Sequence, residues 1–113
     1  MLTQQNRLKK KTDFDRVFRN GKKIKEGVLV FWWAPNNLKI SRFGFIVSKK
    51  VSKKAPTRNK IKRQLRELVR KKIIVLPKGI DGVFVGSPGL EKKDFREIEK
   101  IVNGILSKAK LAI

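Results

Sequence analysis

The most basic stretch of the chain, residues 49–72, has the sequence KKVSKKAPTRNKIKRQLRELVRKK. It contains 12 of the 30 lysines and arginines and a single acid, Glu67, so 24 residues carry a net charge of +11. Like charges at such short spacing repel one another. A stretch of this kind therefore requires an anionic partner or a high salt concentration.

The second half of this stretch has the periodicity of an amphipathic helix. Its apolar residues form one stripe that would pack on a core, and they are Ile61, Leu65, Leu68 and Val69. Cations occupy the outward side, where like charges four residues apart cost a few tenths of a kcal/mol, so helix stability alone does not explain them. The helix begins near Pro56, which suits a first turn, or at Thr57.

Length and composition predict one folded domain. The chain has 113 residues, of which 40% are hydrophobic, including seven Phe and two Trp. This content is too apolar for a disordered basic tail. The net charge of +21 then belongs to the surface, which makes nucleic acid the expected partner.

Composition also argues against several classes of function. No segment approaches the ~18 apolar residues of a membrane span, and the N-terminus has no apolar core like that of a signal peptide, so we expect a cytoplasmic protein. Without Cys or His, disulfides and ordinary zinc sites are excluded. Without Tyr as well, and with no paired carboxylates, we expect neither a catalytic residue nor a metal ligand in the protein.

The chain before the basic stretch predicts one helix and two strands. Residues 1–11 form a polar, basic arm that leads into the fold, with Lys9, Lys10 and Lys11 in solvent. A helix over about 13–19 places Phe14 and Phe18 on one face and closes at Asn20-Gly21 with a left-handed residue. Residues 27–34 are strand-like, with apolar side chains on both faces. Residues 40–48 form a second strand, which we expect to be the hairpin partner of the first.

The chain after the basic helix predicts a loop, a strand and a helix. Residues 76–79 form the loop and residues 82–86 a short buried strand. The last helix starts near Asp94, which forms a capping box with Glu97, and runs to about Ala109. Its core stripe comprises Phe95, Ile98, Ile101, Val102, Ile105 and Leu106. The fold class is α+β, with an α-β-β-α-β-α pattern and one extra short strand.

Three motifs, in order, resemble a known family. Residues 58–67, RNKIKRQLRE, are similar to the RNxxKRxxRE signature helix of the bacterial ribonuclease P protein subunit. Residues 42–50, RFGFIVSKK, are similar to the strand before that helix, and Asn6-Arg7-Leu8 with the Phe14 and Phe18 region is similar to the family's opening. The resemblance spans roughly residues 6–90. It implies one RNA-binding domain over residues 1–113, a ribosomal-protein-like α/β sandwich with a four-stranded sheet and a left-handed crossover, and the first helix on the same face as the basic helix.

The resemblance also implies partners and roles. In that family a catalytic RNA, with magnesium ions, removes the 5′ leader from precursor tRNA, so the protein would be a subunit of an endoribonuclease and bind no metal by itself. The residues implied in binding the catalytic RNA are Arg58, Asn59, Lys60, Lys62, Arg63 and Arg66. Those implied in binding the leader are Phe14, Phe18, Trp32, Lys49 and Lys50, with Val30 as the alternative to Trp32.

Other binding proteins share part of this pattern. A helix-turn-helix DNA-binding protein would need a helix where residues 40–48 are strand-like. A helix lying on a membrane would place its apolar face in lipid, whereas Ile61, Leu65 and Leu68 are needed to attach this helix to its own domain. We therefore expect neither DNA nor membrane as a partner. A ribosomal or other structural-RNA-binding protein has the same size, charge and α/β pattern, and only the ordered motifs favour the ribonuclease P family.

Overall fold

The computed structural model describes residues 6–72 and 79–112, and these ranges contain four strands, three α-helices and a 3-10 turn. The helices are α1 (Lys11–Asn20), α2 (Ala55–Lys72) and α3 (Phe95–Ala112), and the strands are β1 (Lys22–Glu26), β2 (Leu29–Pro35), β3 (Arg42–Ile46) and β4 (Ile80–Gly86). The 3-10 turn spans Leu90–Lys92. No helix in these ranges is long and apolar enough to cross a membrane. The α+β prediction is confirmed, and residues 76–78 of the predicted loop lie outside the described ranges.

The strand order is β1-β2-β4-β3, so the hairpin predicted between β2 and β3 is wrong. The partner of β2 in the hairpin is β1, through a two-residue turn in which Gly27 has a φ of 56°, a conformation that suits tight hairpins. β4 lies between β2 and β3, antiparallel to the first and parallel to the second. β4 is apolar and buried on both faces, so a central position in the sheet removes more of its apolar surface from water than an edge position would. The left-handed sense of the β3–α2–β4 crossover stays a prediction.

The two faces of the sheet carry two separate clusters of apolar side chains. α2 and α3 pack on the face that presents Leu29, Phe31 and Phe84. α1 packs on the opposite face, where Val17 meets Ala34 and Val83. The expectation that α1 and the basic helix share a face is therefore wrong. Two long helices already fill one face, and the short α1 buries Ala34 and Val83 on the other.

The predicted apolar stripe of α2 is confirmed, because all four of its members are buried and Pro56 lies in the first turn. The capping box of α3 is also confirmed: the amide of Glu97 donates to Asp94 Oδ1 at 2.8 Å, and the amide of Asp94 donates to Glu97 Oε1 at 3.1 Å. The α3 stripe holds except at its first residue, since Phe95 is 38% exposed. Phe95 is the first residue of α3, and the core begins one turn later, at Ile98.

One prediction at the N-terminal end is wrong and another is confirmed. Gly21 closes α1 in an extended conformation, with φ −86°, and not in a left-handed one. Glycine is needed there because no side chain fits: a Cβ would lie 2.3 Å from the Val17 carbonyl oxygen and 2.6 Å from that of Trp33. Lys9, Lys10 and Lys11 are exposed, as predicted. The residue before them, Leu8, is buried, and its amide donates to the Phe43 carbonyl at 2.8 Å. The backbone of Arg7 forms a parallel β-bridge with that of Phe43, so this segment lies along the outer edge of β3.

Candidate nucleic-acid interface

The α1 face of the sheet is built from three rows of side chains. Strand register places Ala34, Asp81 and Arg42 in the first row, Lys23, Trp32, Val83 and Gly44 in the second, and Lys25, Val30, Val85 and Ile46 in the third. α1 covers the first two rows, in which Ala34 and Val83 are buried. In the third row Val30, Val85 and Ile46 remain half-buried, and we call these three residues the open strip.

Aromatic rings form the border between α1 and the open strip. The ring of Phe18 meets that of Trp32 edge to face, with centroids 5.5 Å apart. Lys23 Nζ lies 5.4 Å from the centroid of the Trp32 ring, at cation–π distance. The alternation predicted for β2 is thus confirmed, with Trp32 and Val30 on this face. Of these two residues, Trp32 is the one that offers an aromatic ring to Phe18.

Phe14 lies one turn earlier on α1, against β3. A Cβ at Gly44 would meet Phe14 Cζ at 2.4 Å, so the ring lies where a side chain of β3 would otherwise stand. Phe14 and Phe18 are both half-buried, and each leaves part of its ring accessible. The structure therefore brings together Phe14, Phe18 and Trp32 on one face.

Lys49 and Lys50 lie in an exposed turn that follows β3. The amide of Val51 donates to the Ser48 carbonyl at 3.0 Å, and the amide of Lys50 donates to Ser48 Oγ at 3.3 Å, so backbone bonds define this turn. The turn follows the end of β3, where Ile46, a member of the open strip, is the last residue of the strand. Two ammonium groups therefore lie beyond the end of the apolar strip.

The six residues implied in catalytic-RNA binding lie on α2, but their environments differ. Asn59, Lys60 and Arg63 are exposed. Arg58 is half-buried, and its Nη1 donates to the carbonyls of Ser52 and Lys53 at 3.0 Å each, which holds the preceding loop against the first turn of the helix. Lys62 and Arg66 are half-buried as well.

Arg66 is turned toward the sheet edge. Its Cζ lies 6.0 Å from the centroid of the Phe45 ring on β3. Arg58 and Arg66 therefore have structural contacts in addition to any role toward RNA, whereas Asn59, Lys60 and Arg63 are presented to solvent.

The acid within the basic helix has a partner on the next turn. Arg70 Nη2 donates to Glu67 Oε1 at 2.6 Å, and this hydrogen bond is the main cause that lowers the pKa of Glu67 to about 2. The same contact raises the pKa of Arg70. Glu67 thus remains ionised and offsets the charge of Arg70.

A buried carboxylate network beneath α1 was missed by the sequence analysis. Asp81 is fully buried, and it accepts hydrogen bonds from Arg42 Nε at 2.9 Å, from Arg42 Nη2 at 2.7 Å and from Asn36 Nδ2 at 2.9 Å. Arg16 of α1 also donates to Asp81, and its Nη1 donates to the Pro35 carbonyl at 2.7 Å. The bond to Asp81 raises the pKa of Arg42. An acid between Ile80 and Gly82 in an otherwise apolar strand was the signal for this network.

The chain is similar to known proteins in both sequence and structure. The family model described as Ribonuclease P matches residues 2–110. The ribonuclease P protein component of Caldanaerobacter subterraneus is 35% identical, over 98% of this chain and 95% of that protein. The solved RNase P protein of Staphylococcus aureus superposes with a TM-score of 0.86 at 27% identity, over 93% of this chain and 95% of that one. That of Thermotoga maritima gives 0.81 at 32% identity, over 90% and 96%. The chain belongs to the ribonuclease P protein family and is a protein component of that RNA-containing endoribonuclease.

Proposed function

We propose that two RNA-binding surfaces lie on opposite faces of the sheet. The outward side of α2, with Asn59, Lys60 and Arg63 most exposed, binds the ribonuclease P RNA. The α1 face binds the single-stranded 5′ leader of precursor tRNA. Because α1 and α2 pack on opposite faces, one molecule can contact both RNAs at the same time.

The observation that carries the leader proposal is the open strip. Three half-buried apolar side chains lie beside Phe18 and Trp32, and lysines stand at the side and the end of the strip. Unstacked bases can pack on such a surface while lysines neutralise phosphates, and a duplex cannot present its bases in this way. Mature tRNA has no leader, so the strip would favour binding of the precursor over the product.

The chemistry itself is proposed to reside in the RNA. Among residues 6–72 and 79–112, no three carboxylates lie close enough to hold a metal ion together. Magnesium ions bound by the RNA would supply the activated water for hydrolysis. The protein would contribute leader contacts and cationic charge that lets the RNA bind metal at a lower magnesium concentration.

Two substitutions test the division between the faces. Arg63→Ala should weaken binding to a bacterial ribonuclease P RNA and reduce the slope of log K against log salt by about 1, since one phosphate contact is lost. Phe18→Ala should leave that affinity unchanged and weaken precursor binding by the holoenzyme about five- to tenfold, as expected for one lost stacking contact. Mature tRNA is the matched ligand, and its affinity should not change.

The functional readout is leader cleavage at low magnesium. The protein should rescue cleavage by the RNA, and Arg63→Ala should raise the protein concentration required. If Arg63→Ala and Phe18→Ala affected RNA assembly and precursor binding equally, the separation into two faces would be incorrect.

A further inference from the structure

Helix α1 carries two of the aromatic residues of its face but is attached to the sheet by little apolar packing. It has 10 residues, a length at which an isolated helix is only marginally stable. Val17 is its one fully buried side chain, whereas α2 buries four. Apolar packing therefore defines the orientation of α1 less firmly than that of α2, and polar contacts must supply the rest.

Arg16 supplies such contacts to two neighbouring strands. Its Nη2 donates to Asp81 Oδ2 in β4, and its Nη1 donates to the Pro35 carbonyl at the end of β2, at 2.7 Å. Asp81 is fully buried, so the acceptor does not move with solvent. Because a guanidinium is planar and its donors have fixed directions, this pair of bonds defines the direction of approach as well as the distance.

The two bonds lie on the far side of α1 from the open strip. Asp81 belongs to the first row of the sheet face and the open strip to the third. Phe18 follows Arg16 by two residues and stands between these rows, against Trp32. A rotation of α1 about its buried Val17 would therefore move Phe18 relative to Trp32 and to the open strip. Both Nη atoms of Arg16 donate to protein acceptors, an arrangement that serves the position of the helix.

We propose that Arg16 is a positioning residue for recognition of the precursor. By holding α1 on Asp81 and Pro35, it keeps Phe18 beside the open strip and thereby increases the affinity for precursor over mature tRNA. This inference rests on the proposed function of the α1 face. Arg42 and Asn36 also donate to Asp81, so the carboxylate keeps partners when Arg16 is replaced. Loss of Arg16 should therefore reorient α1 without unfolding the domain.

The first test compares Arg16→Met with Arg19→Met, which each remove one positive charge from α1. Arg19 is exposed and provides the matched control. We expect Arg16→Met to weaken precursor binding by the holoenzyme about threefold, part of the value of one stacking contact, and to leave mature tRNA binding unchanged. Arg19→Met should change both affinities by the same small factor. Equal effects of the two variants on both ligands would show an effect of net charge alone and overturn the proposal.

A double-variant cycle separates positioning from direct contact. In a Phe18→Ala background, Arg16→Met should cause no further loss of precursor affinity, because the side chain that it positions is absent. The same loss in both backgrounds would mean that Arg16 acts on the leader by itself, which would overturn the positioning role. Arg16→Lys keeps the charge but lacks the planar pair of donors, so it should restore only part of the precursor affinity.

A measurement on the full-length protein without RNA tests the geometry alone. Nuclear Overhauser effects between the rings of Phe18 and Trp32 should weaken in Arg16→Met and persist in Arg19→Met. Unchanged effects in Arg16→Met would overturn the proposal. Far-UV circular dichroism and urea unfolding check that each variant is folded, and Arg16→Gln replaces Arg16→Met if the latter does not fold.

The two proposals can fail separately. If Phe18→Ala does not weaken precursor binding, the proposed leader surface is incorrect, whatever Arg16 does to the rings. If Phe18→Ala weakens precursor binding and Arg16→Met does not, the leader surface stands and the positioning role of Arg16 is overturned.

Discussion

Asp81 is the residue on which the α1 face depends most. Its carboxylate has no exposure and joins α1, through Arg16, to β3, through Arg42, and to the loop after β2, through Asn36. Asp13 of α1 lies 3.5 Å from Arg42 and adds a second carboxylate to the same arginine. The position of Phe14 and Phe18 over the sheet is therefore maintained by a charge network as well as by packing.

We predict that Asp81→Asn destabilises the fold by about 3 kcal/mol, because a neutral amide leaves two arginines without their buried partner. The value lies at the lower end for buried pairs since Arg16 and Arg42 are 33% and 23% exposed and regain some hydration. Urea unfolding provides the measurement. The control is Asp15→Asn on the exposed side of α1, expected to change stability by less than about 0.5 kcal/mol. Equal effects of both changes would contradict the role of the network.

Glu67 offers a test of local electrostatics on α2. Its pKa is about 2 in the folded chain, below its ordinary value of 4.5, chiefly because of the hydrogen bond from Arg70. The pair therefore contributes to stability above about pH 4.5, and the contribution is lost as the pH falls toward 2. We expect Arg70→Gln to move the Glu67 pKa back toward 4.5, as followed by NMR titration of the carboxyl carbon. An unchanged pKa in this variant would assign the depression to the other cations of the helix.

Helix α3 shows how one local motif determines where an element begins. The Asp94 and Glu97 bonds satisfy two amides that the first turn leaves without helical partners. Downstream, Lys108 Nζ pairs with Glu26 Oε2 of β1 at 2.5 Å, so both ends of the helix have polar anchors. The apolar face between them packs on β1 and β2.

We predict that Asp94→Ala lowers the free energy of unfolding by about 1 kcal/mol, the usual cost of a lost N-cap. Asp94→Asn is the matched control, because asparagine caps about as well as aspartate, and it should be nearly neutral. Both are measured by urea unfolding, with the slope m expected to stay unchanged. A full loss in Asp94→Asn would indicate that charge, rather than the hydrogen bond, is what matters at this position.

At the scale of the whole molecule, the net charge of +21 opposes compactness. The described residues place the lysines and arginines of the α2 surface, the Lys49 turn and β1 around an apolar core, and most of these cations are exposed. A polyanion that binds several of these surfaces at once would stabilise the folded state by mass action.

We expect sulfate to raise the urea midpoint more than chloride does at equal ionic strength, since it binds cationic surfaces in addition to screening them. Because sulfate also strengthens apolar burial in general, the double variant Lys60→Gln/Arg63→Gln provides the control. It should lose part of the difference between the two salts. If the difference is identical in both proteins, the effect is not one of anion binding at α2.

Local patterns in the sequence determined much of this protein. The apolar stripe of α2, the alternation of Val30 and Trp32, and the capping box of Asp94 follow from spacings of two to eight residues, which backbone geometry converts directly into faces and termini. Helical spacing also predicted the aromatic pair Phe14 and Phe18 on α1 and the cationic outward side of α2. The sequence of β1 predicts a strand only weakly, because lysines surround its one apolar residue, Ile24, as they often do on edge strands.

Tertiary structure alone decided how these faces meet. The insertion of β4 between β2 and β3, the packing of α1 opposite α2, the burial of Asp81 between two arginines and the turn of Arg66 toward Phe45 all join residues 21 to 65 positions apart. Such contacts depend on which arrangement buries the most apolar surface while satisfying every buried polar group, and no local spacing encodes that balance. The basic helix and the aromatic residues were therefore evident in the sequence, whereas their placement on opposite faces of one sheet required the fold.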